Sequence, residues 1–138
     1  MRYATVVKRS GGYLLPITVP TPKTTEIKID DLGVDVRPTA LRVWGVDFLI
    51  LRCDELSLLD KTLAPRLLTK AGCNAFIAYE KKSGATEFYA HSQRIKKGLL
   101  PTAALILHTL LGTRRLSSGD IHFTFEYYNG KPHLSVKL

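Results

Sequence analysis

The side chains in this chain able to do chemistry form a short set. Its usual metal ligands and nucleophiles are His91, His108, His122 and His133 together with Cys53 and Cys73. None has the close Cys/His spacing of a structural zinc site, so packing and surface roles are expected of them. Cys53 ends one strongly apolar stretch and Cys73 begins another, as small core-lining thiols do. No phosphate-binding glycine loop and no nucleophile elbow is present, and Gly11-Gly12 reads as a turn. The best enzymatic constellation is Asp47 in Val46-Asp47-Phe48-Leu49-Ile50 with Glu80 and Lys82 in Tyr79-Glu80-Lys81-Lys82. Two carboxylates that converge can bind Mg²⁺, and a lysine beside them can polarise the attacking water.

That order, an acid on a buried strand followed by acid-x-lysine on a later one, resembles the restriction-endonuclease-like nucleases. The resemblance implies a metal-dependent nuclease with Asp47 and Glu80 on the metal. It departs from the family in placing a whole expected helix between the two strands. A second partial resemblance, to the surfactin-type phosphopantetheinyl transferases, rests on the leucine-rich Leu105 to Leu111, on Ile121-His122-Phe123 and on Gly130-Lys131-Pro132. It covers about a quarter of the chain and lacks the histidine and acidic metal motifs that perform that family's reaction, so it implies shared ancestry at most. No catalytic residue, cofactor or metal site is assigned from the sequence.

The charge distribution is more informative. Residues 1 to 60 carry eight Lys/Arg against eight Asp/Glu, whereas residues 61 to 138 carry twelve against four, so the whole net charge of +8 lies in the second part. The cations come in small groups: Lys81-Lys82, then Arg94, Lys96 and Lys97, then Arg114-Arg115. A basic face attracts phosphate backbones because each neutralised phosphate releases a condensed counterion. Tyr79, Tyr89, Tyr127 and Tyr128 lie near these groups and would stack on bases where exposed. The five cations from Lys81 to Lys97 are expected on one connected surface.

The elements that must position these groups follow from apolar spacing and turn residues. An all-β first part is expected: a hairpin of Arg2 to Arg9 and Tyr13 to Val19, a short strand at Glu26 to Ile29, and a long buried strand from Ala40 to Cys53 with a bulge at Gly45. From Asp54, the spacing of Leu56, Leu59, Leu63 and Leu67 predicts a helix capped by Asp54, stopped by Gly72 and kinked or divided at Pro65. Strands at Asn74 to Glu80 and Thr86 to Ser92 form a second hairpin. A second, almost wholly apolar helix has Pro101 in its first turn and Gly112 as its stop. Such a helix is buried against a sheet or covered by another subunit.

Asn129-Gly130 between two alternating runs marks the last hairpin and fixes its register. Phe125 then faces Leu134, Phe123 faces Val136 and Ile121 faces Leu138 on a core side. Glu126 faces His133, Thr124 faces Ser135 and His122 faces Lys137 on a wet side, where a surface Glu126-His133 pair is expected. The order helix, glycine, strand, turn, strand occurs twice, over Leu63 to Ala90 and Leu100 to Val136.

The fold expected is therefore α+β: a single domain of residues 1–138, with antiparallel strands over 1–53 and two helix-plus-hairpin units in the basic part, 54–138. The apolar run Leu99 to Leu111 is broken by Pro101, Thr102 and His108 and is too short to span a bilayer. The N-terminus offers no signal-peptide cleavage site. Two cysteines suit a reducing, cytoplasmic compartment. The leading functional expectation is a non-enzymatic module contacting nucleic acid or a ribonucleoprotein through Lys81, Lys82, Arg94, Lys96, Lys97, Arg114 and Arg115. The alternatives are a structural subunit that self-associates or packs on other proteins through its apolar second helix or strand edges, and the metal-dependent nuclease.

Overall fold

A computed structural model of the chain describes residues 2–4, 17–19, 24–26, 39–43 and 45–137. Among the described residues the fold is α+β, rich in strands and with two α-helices: β1 (Arg2–Ala4), β2 (Ile17–Val19), β3 (Thr24–Glu26), β4 (Thr39–Val43), β5 (Val46–Arg52), α1 (Ala64–Ala71), β6 (Ala75–Lys82), β7 (Ala85–Ser92), α2 (Leu99–Leu111), β8 (Arg115–Ser118), β9 (Ile121–Tyr128) and β10 (Lys131–Lys137). The chain packs as two units. One comprises Pro22–Lys81 and Phe88–Leu99, the other Met1–Thr21, Lys82–Glu87 and Leu100–Leu138, so that β7 contributes to both.

In the first of these units the strand order is β3-β4-β5-β6-β7. The expected long strand from Ala40 to Cys53 is two strands. Val43 stands opposite Val46, and Gly45 takes φ +74° in the turn between them, a left-handed conformation that glycine adopts without a Cβ penalty. Gly45 thus reverses the chain and does not bulge it. Phe48, Leu49, Ile50 and Leu51 are all buried, as strands covered on both faces require. β5 and β6 run parallel, with Phe48 beside Ala75 and Arg52 beside Tyr79, and α1 forms part of the crossover between them.

The helix expected from Asp54 begins later. Leu56–Leu58 and Lys61–Leu63 form 3-10 turns, and α1 starts at Ala64 with Pro65 in its first turn, where a missing N–H costs nothing. The carboxylate of Asp60 accepts hydrogen bonds from the Thr62 backbone and hydroxyl at 3.0 and 2.6 Å and is held below its usual pKa by them. Leucines three apart suit a 3-10 turn as well as an α-helix, so the spacing alone does not distinguish the two. Leu56 is buried with Leu49, Leu51, Cys53, Ala64, Leu68, Phe76 and Ala78 in one apolar cluster. At the end of α1, Cys73 N–H bonds to Leu68 O and Gly72 N–H to Thr69 O, closing the helix as the sequence predicts.

In the second unit the order is β7-β8-β9-β10. α2 links β7 to β8, which run parallel with Thr86 beside Leu116. Gly112 stops α2 by donating to His108 O at 2.8 Å. The strand β8 is absent from the sequence expectation; it has four residues, of which Leu116 alone is buried, too little alternation to announce a strand. The second helix is therefore followed by three strands, not two. Asn129 and Gly130 take φ +52° and +73°, the pair of left-handed conformations a two-residue turn needs. The counted register holds: Phe125 pairs with Leu134, Phe123 with Val136, Glu126 with His133, Thr124 with Ser135 and His122 with Lys137. Leu138 lies outside the described residues.

Phe123, Phe125, Leu134 and Leu116 are buried, and in α2 the six consecutive residues Ala103 to His108 are buried as well. The apolar middle of α2 is thus enclosed by this chain itself. β1 pairs antiparallel with β2, Arg2 opposite Val19, and packs beside β10. Of the expected first hairpin and third strand, 5–16 and 27–29 lie outside the described residues. Among the described residues no helix is long and apolar enough to cross a membrane.

Replacing Phe123 or Phe125 by Ala should destabilise the fold by about 3 to 5 kcal/mol, while His133→Ala, on the opposite face, should cost little. Urea denaturation monitored by circular dichroism measures this. Equal losses at all three positions would contradict the observed register.

Candidate nucleic-acid interface

All seven cations expected to contact nucleic acid are exposed. Lys81 and Lys82 end β6, where Lys82 forms an ion pair with Glu87 at 3.1 Å. Arg94, Lys96 and Lys97 follow β7 in a loop held by Ser92. The Ser92 hydroxyl donates to Asn74 O and accepts from the N–H groups of Arg94 and Ile95. The eight residues of β7 lie between these two groups, a length of roughly 25 Å at strand rise. Lys81-Lys82 and Arg94 to Lys97 therefore occupy opposite ends of β7, so the one connected surface expected of these five cations is not formed. Arg115 instead joins the Lys82 end, because Leu116 stands beside Thr86 at the start of β7.

Arg114 lies with its guanidinium 4.8 Å from the centre of the Tyr127 ring. Tyr127 is in turn tied to His108, which is only 4% exposed. The His108 Nδ1 is 2.6 Å from Thr113 O and its Nε2 2.6 Å from the Tyr127 hydroxyl. Since a carbonyl only accepts, Nδ1 carries the proton in the neutral ring and Tyr127 donates to Nε2. The ring also stacks on Phe125, nearly parallel to it and with centroids 4.1 Å apart. This histidine interrupts the apolar run of α2 as a fully engaged core group.

The face of β8, β9 and β10 away from Phe123 and Phe125 is polar. Arg115 stands opposite Thr124, Lys137 opposite His122, His133 opposite Glu126, and Lys131 opposite Tyr128. Tyr128 is 43% exposed, whereas Tyr79, Tyr89 and Tyr127 are partly buried. Its hydroxyl donates to Glu126, and its ring meets His133 edge-on at 4.9 Å. Glu126 and His133 face each other as expected, and each contacts Tyr128. Charge clustering along the chain does not single out Lys131 and Lys137, which stand apart from the other cations. The register counted from Asn129-Gly130 assigns Lys137, Tyr128 and Lys131 to the wet face, and that is the signal by which the sequence could have found them.

The nuclease constellation is not assembled. Asp47, the second residue of β5, lies beside Asn74, whose side chain accepts the Asp47 N–H, and the Asp47 carboxylate lies 3.4 Å from Arg42. Glu80 sits six residues further along β6, about 20 Å away at strand rise. Its carboxylate accepts the Leu56 N–H at 2.7 Å. Neither thiol is activated: burial pushes Cys53 up, helped by Asp54 and Glu80, and burial pushes Cys73 up, helped by Asp47. Burial likewise raises Tyr79, with Arg52 opposing. Among the described residues no three His, Cys, Asp or Glu side chains group to hold a metal ion. No protein-family model matches the chain, and no curated protein matches it.

Glu80→Gln should lower stability by about 1 to 3 kcal/mol, since a charge-assisted bond to the Leu56 N–H is weakened. Incubation with Mg²⁺ or Mn²⁺ and DNA or RNA should show no cleavage that this substitution removes. Cleavage by the native protein that vanishes in a folded Glu80→Gln variant would contradict the geometry described.

Proposed function

We propose that this chain is a cytoplasmic binding module, with no reaction of its own, that contacts nucleic acid or a ribonucleoprotein through its C-terminal half. Lys81, Lys82, Arg94, Lys96, Lys97, Arg114 and Arg115 are the contacts. The observation that carries this reading is that all seven are exposed. A single small anion spans only a few ångströms and would engage one group. A polymer of phosphates reaches several groups, and each neutralised phosphate adds counterion release. The burial of Ala103 to His108 within the chain leaves the apolar middle of α2 without surface for a protein partner, which weighs against the structural-subunit reading. The separation of Asp47 from Glu80 weighs against the nuclease.

The test is a salt titration of binding to a fluorescent oligonucleotide, read by anisotropy. Affinity should fall steeply with salt. The Lys96→Ala, Lys97→Ala double variant should reduce the log–log slope by about 1 for each phosphate that is no longer neutralised. Absence of binding at the lowest salt would overturn the proposal.

A further inference from the structure

We infer that the polar face of β8, β9 and β10 is a platform for single-stranded nucleic acid, with Tyr128 stacking a base and Arg115, Lys131 and Lys137 holding the phosphates. This rests on the proposed function and narrows it to a ligand class and a place.

The register brings the parts together. Tyr128 and Lys131 are directly opposed across the last turn, and His133 closes on the Tyr128 ring from the next position on that face of β10. Lys137 lies six residues from Lys131 on the same face of the same strand, about 20 Å away, and Arg115 stands beside Thr124 on the flanking strand. Tyr128 and Lys131 therefore mark the turn end of the face, with Arg115 about 13 Å and Lys137 about 20 Å further along it, a span that only an extended ligand covers. Lys131, Lys137 and Arg115 are exposed, and among the described residues Glu126 is the one carboxylate that β8, β9 and β10 place on this face. Glu126 accepts the Tyr128 hydroxyl, which fixes the ring and lowers the ordering cost of binding.

Charge complementarity selects a polyanion, and the half-exposed, anchored ring selects among polyanions. Duplex bases are stacked on one another and offer no π-face to a side chain, whereas a single strand can splay a base onto an aromatic ring. Stacking needs no particular base, so broad sequence tolerance is expected.

The experiment compares labelled 15-mer oligo(dT) and oligo(U) with a duplex of the same length, by anisotropy at low salt. Both single strands should bind at least tenfold more tightly than the duplex. Tyr128→Ala should weaken single-strand binding about tenfold, leaving the duplex affinity and the salt slope unchanged, because stacking releases no counterions. Tyr128→Phe should retain most of the affinity. The Lys131→Ala, Lys137→Ala double variant should instead flatten the slope by about 2. Thermal melts verify that each variant folds. Salt-steep binding that is equal for duplex and single strands, and indifferent to Tyr128→Ala, would overturn the platform while leaving the proposed function standing. Failure of the native protein to bind any of the three at low salt overturns both.

Discussion

In the second unit, the two-residue turn at Asn129-Gly130 governs what each residue of β9 and β10 can do. Both turn residues occupy the left-handed region, which closes the hairpin at a single register. A slip by one residue would turn every side chain to the other face, carrying Phe123, Phe125 and Leu134 into solvent and Tyr128, Lys131 and Lys137 into the core. The apolar side then receives Leu116 of β8, and its Phe125 receives the His108 ring of α2. The Tyr127 hydroxyl seals that contact at His108 Nε2, with Arg114 over the ring. The polar face exists because the core face is fixed.

A shared constraint places the two helices. Each lies between two neighbouring parallel strands, β5 and β6 for α1 and β7 and β8 for α2, and each ends at a glycine with positive φ that turns the chain into the next strand. Parallel pairing needs a crossover, and the crossover decides which strand ends meet. It is this that sets Arg115 near Lys82. It also keeps Asp47 and Glu80 at opposite ends of adjacent strands.

Legibility in the sequence follows how local each constraint is. The last hairpin is readable because Asn-Gly accepts a conformation that few other dipeptides do. The stops at Gly72 and Gly112 are readable for the same reason. The division of β4 from β5 is not, since both flanks are equally strand-forming and a lone glycine serves a bulge or a turn. The 3-10 turns after Asp54 are hidden by leucine spacing common to both helix types. Exposure of the cations is legible from their chemistry, but their arrangement is not, because it depends on pairing between segments that no short-range pattern encodes. Tyr128 and Tyr127 are alike in composition and differ only in the face the register gives them.

A backbone amide NMR titration of the native protein with a single-stranded oligonucleotide, repeated at high salt, tests the central claim most directly. Shifts are expected to concentrate on the basic groups between Lys81 and Arg115 and on the Tyr128, Lys131 and Lys137 face, and to be reversed by salt. Shifts confined to residues before position 60, or no shifts at low salt, would contradict it.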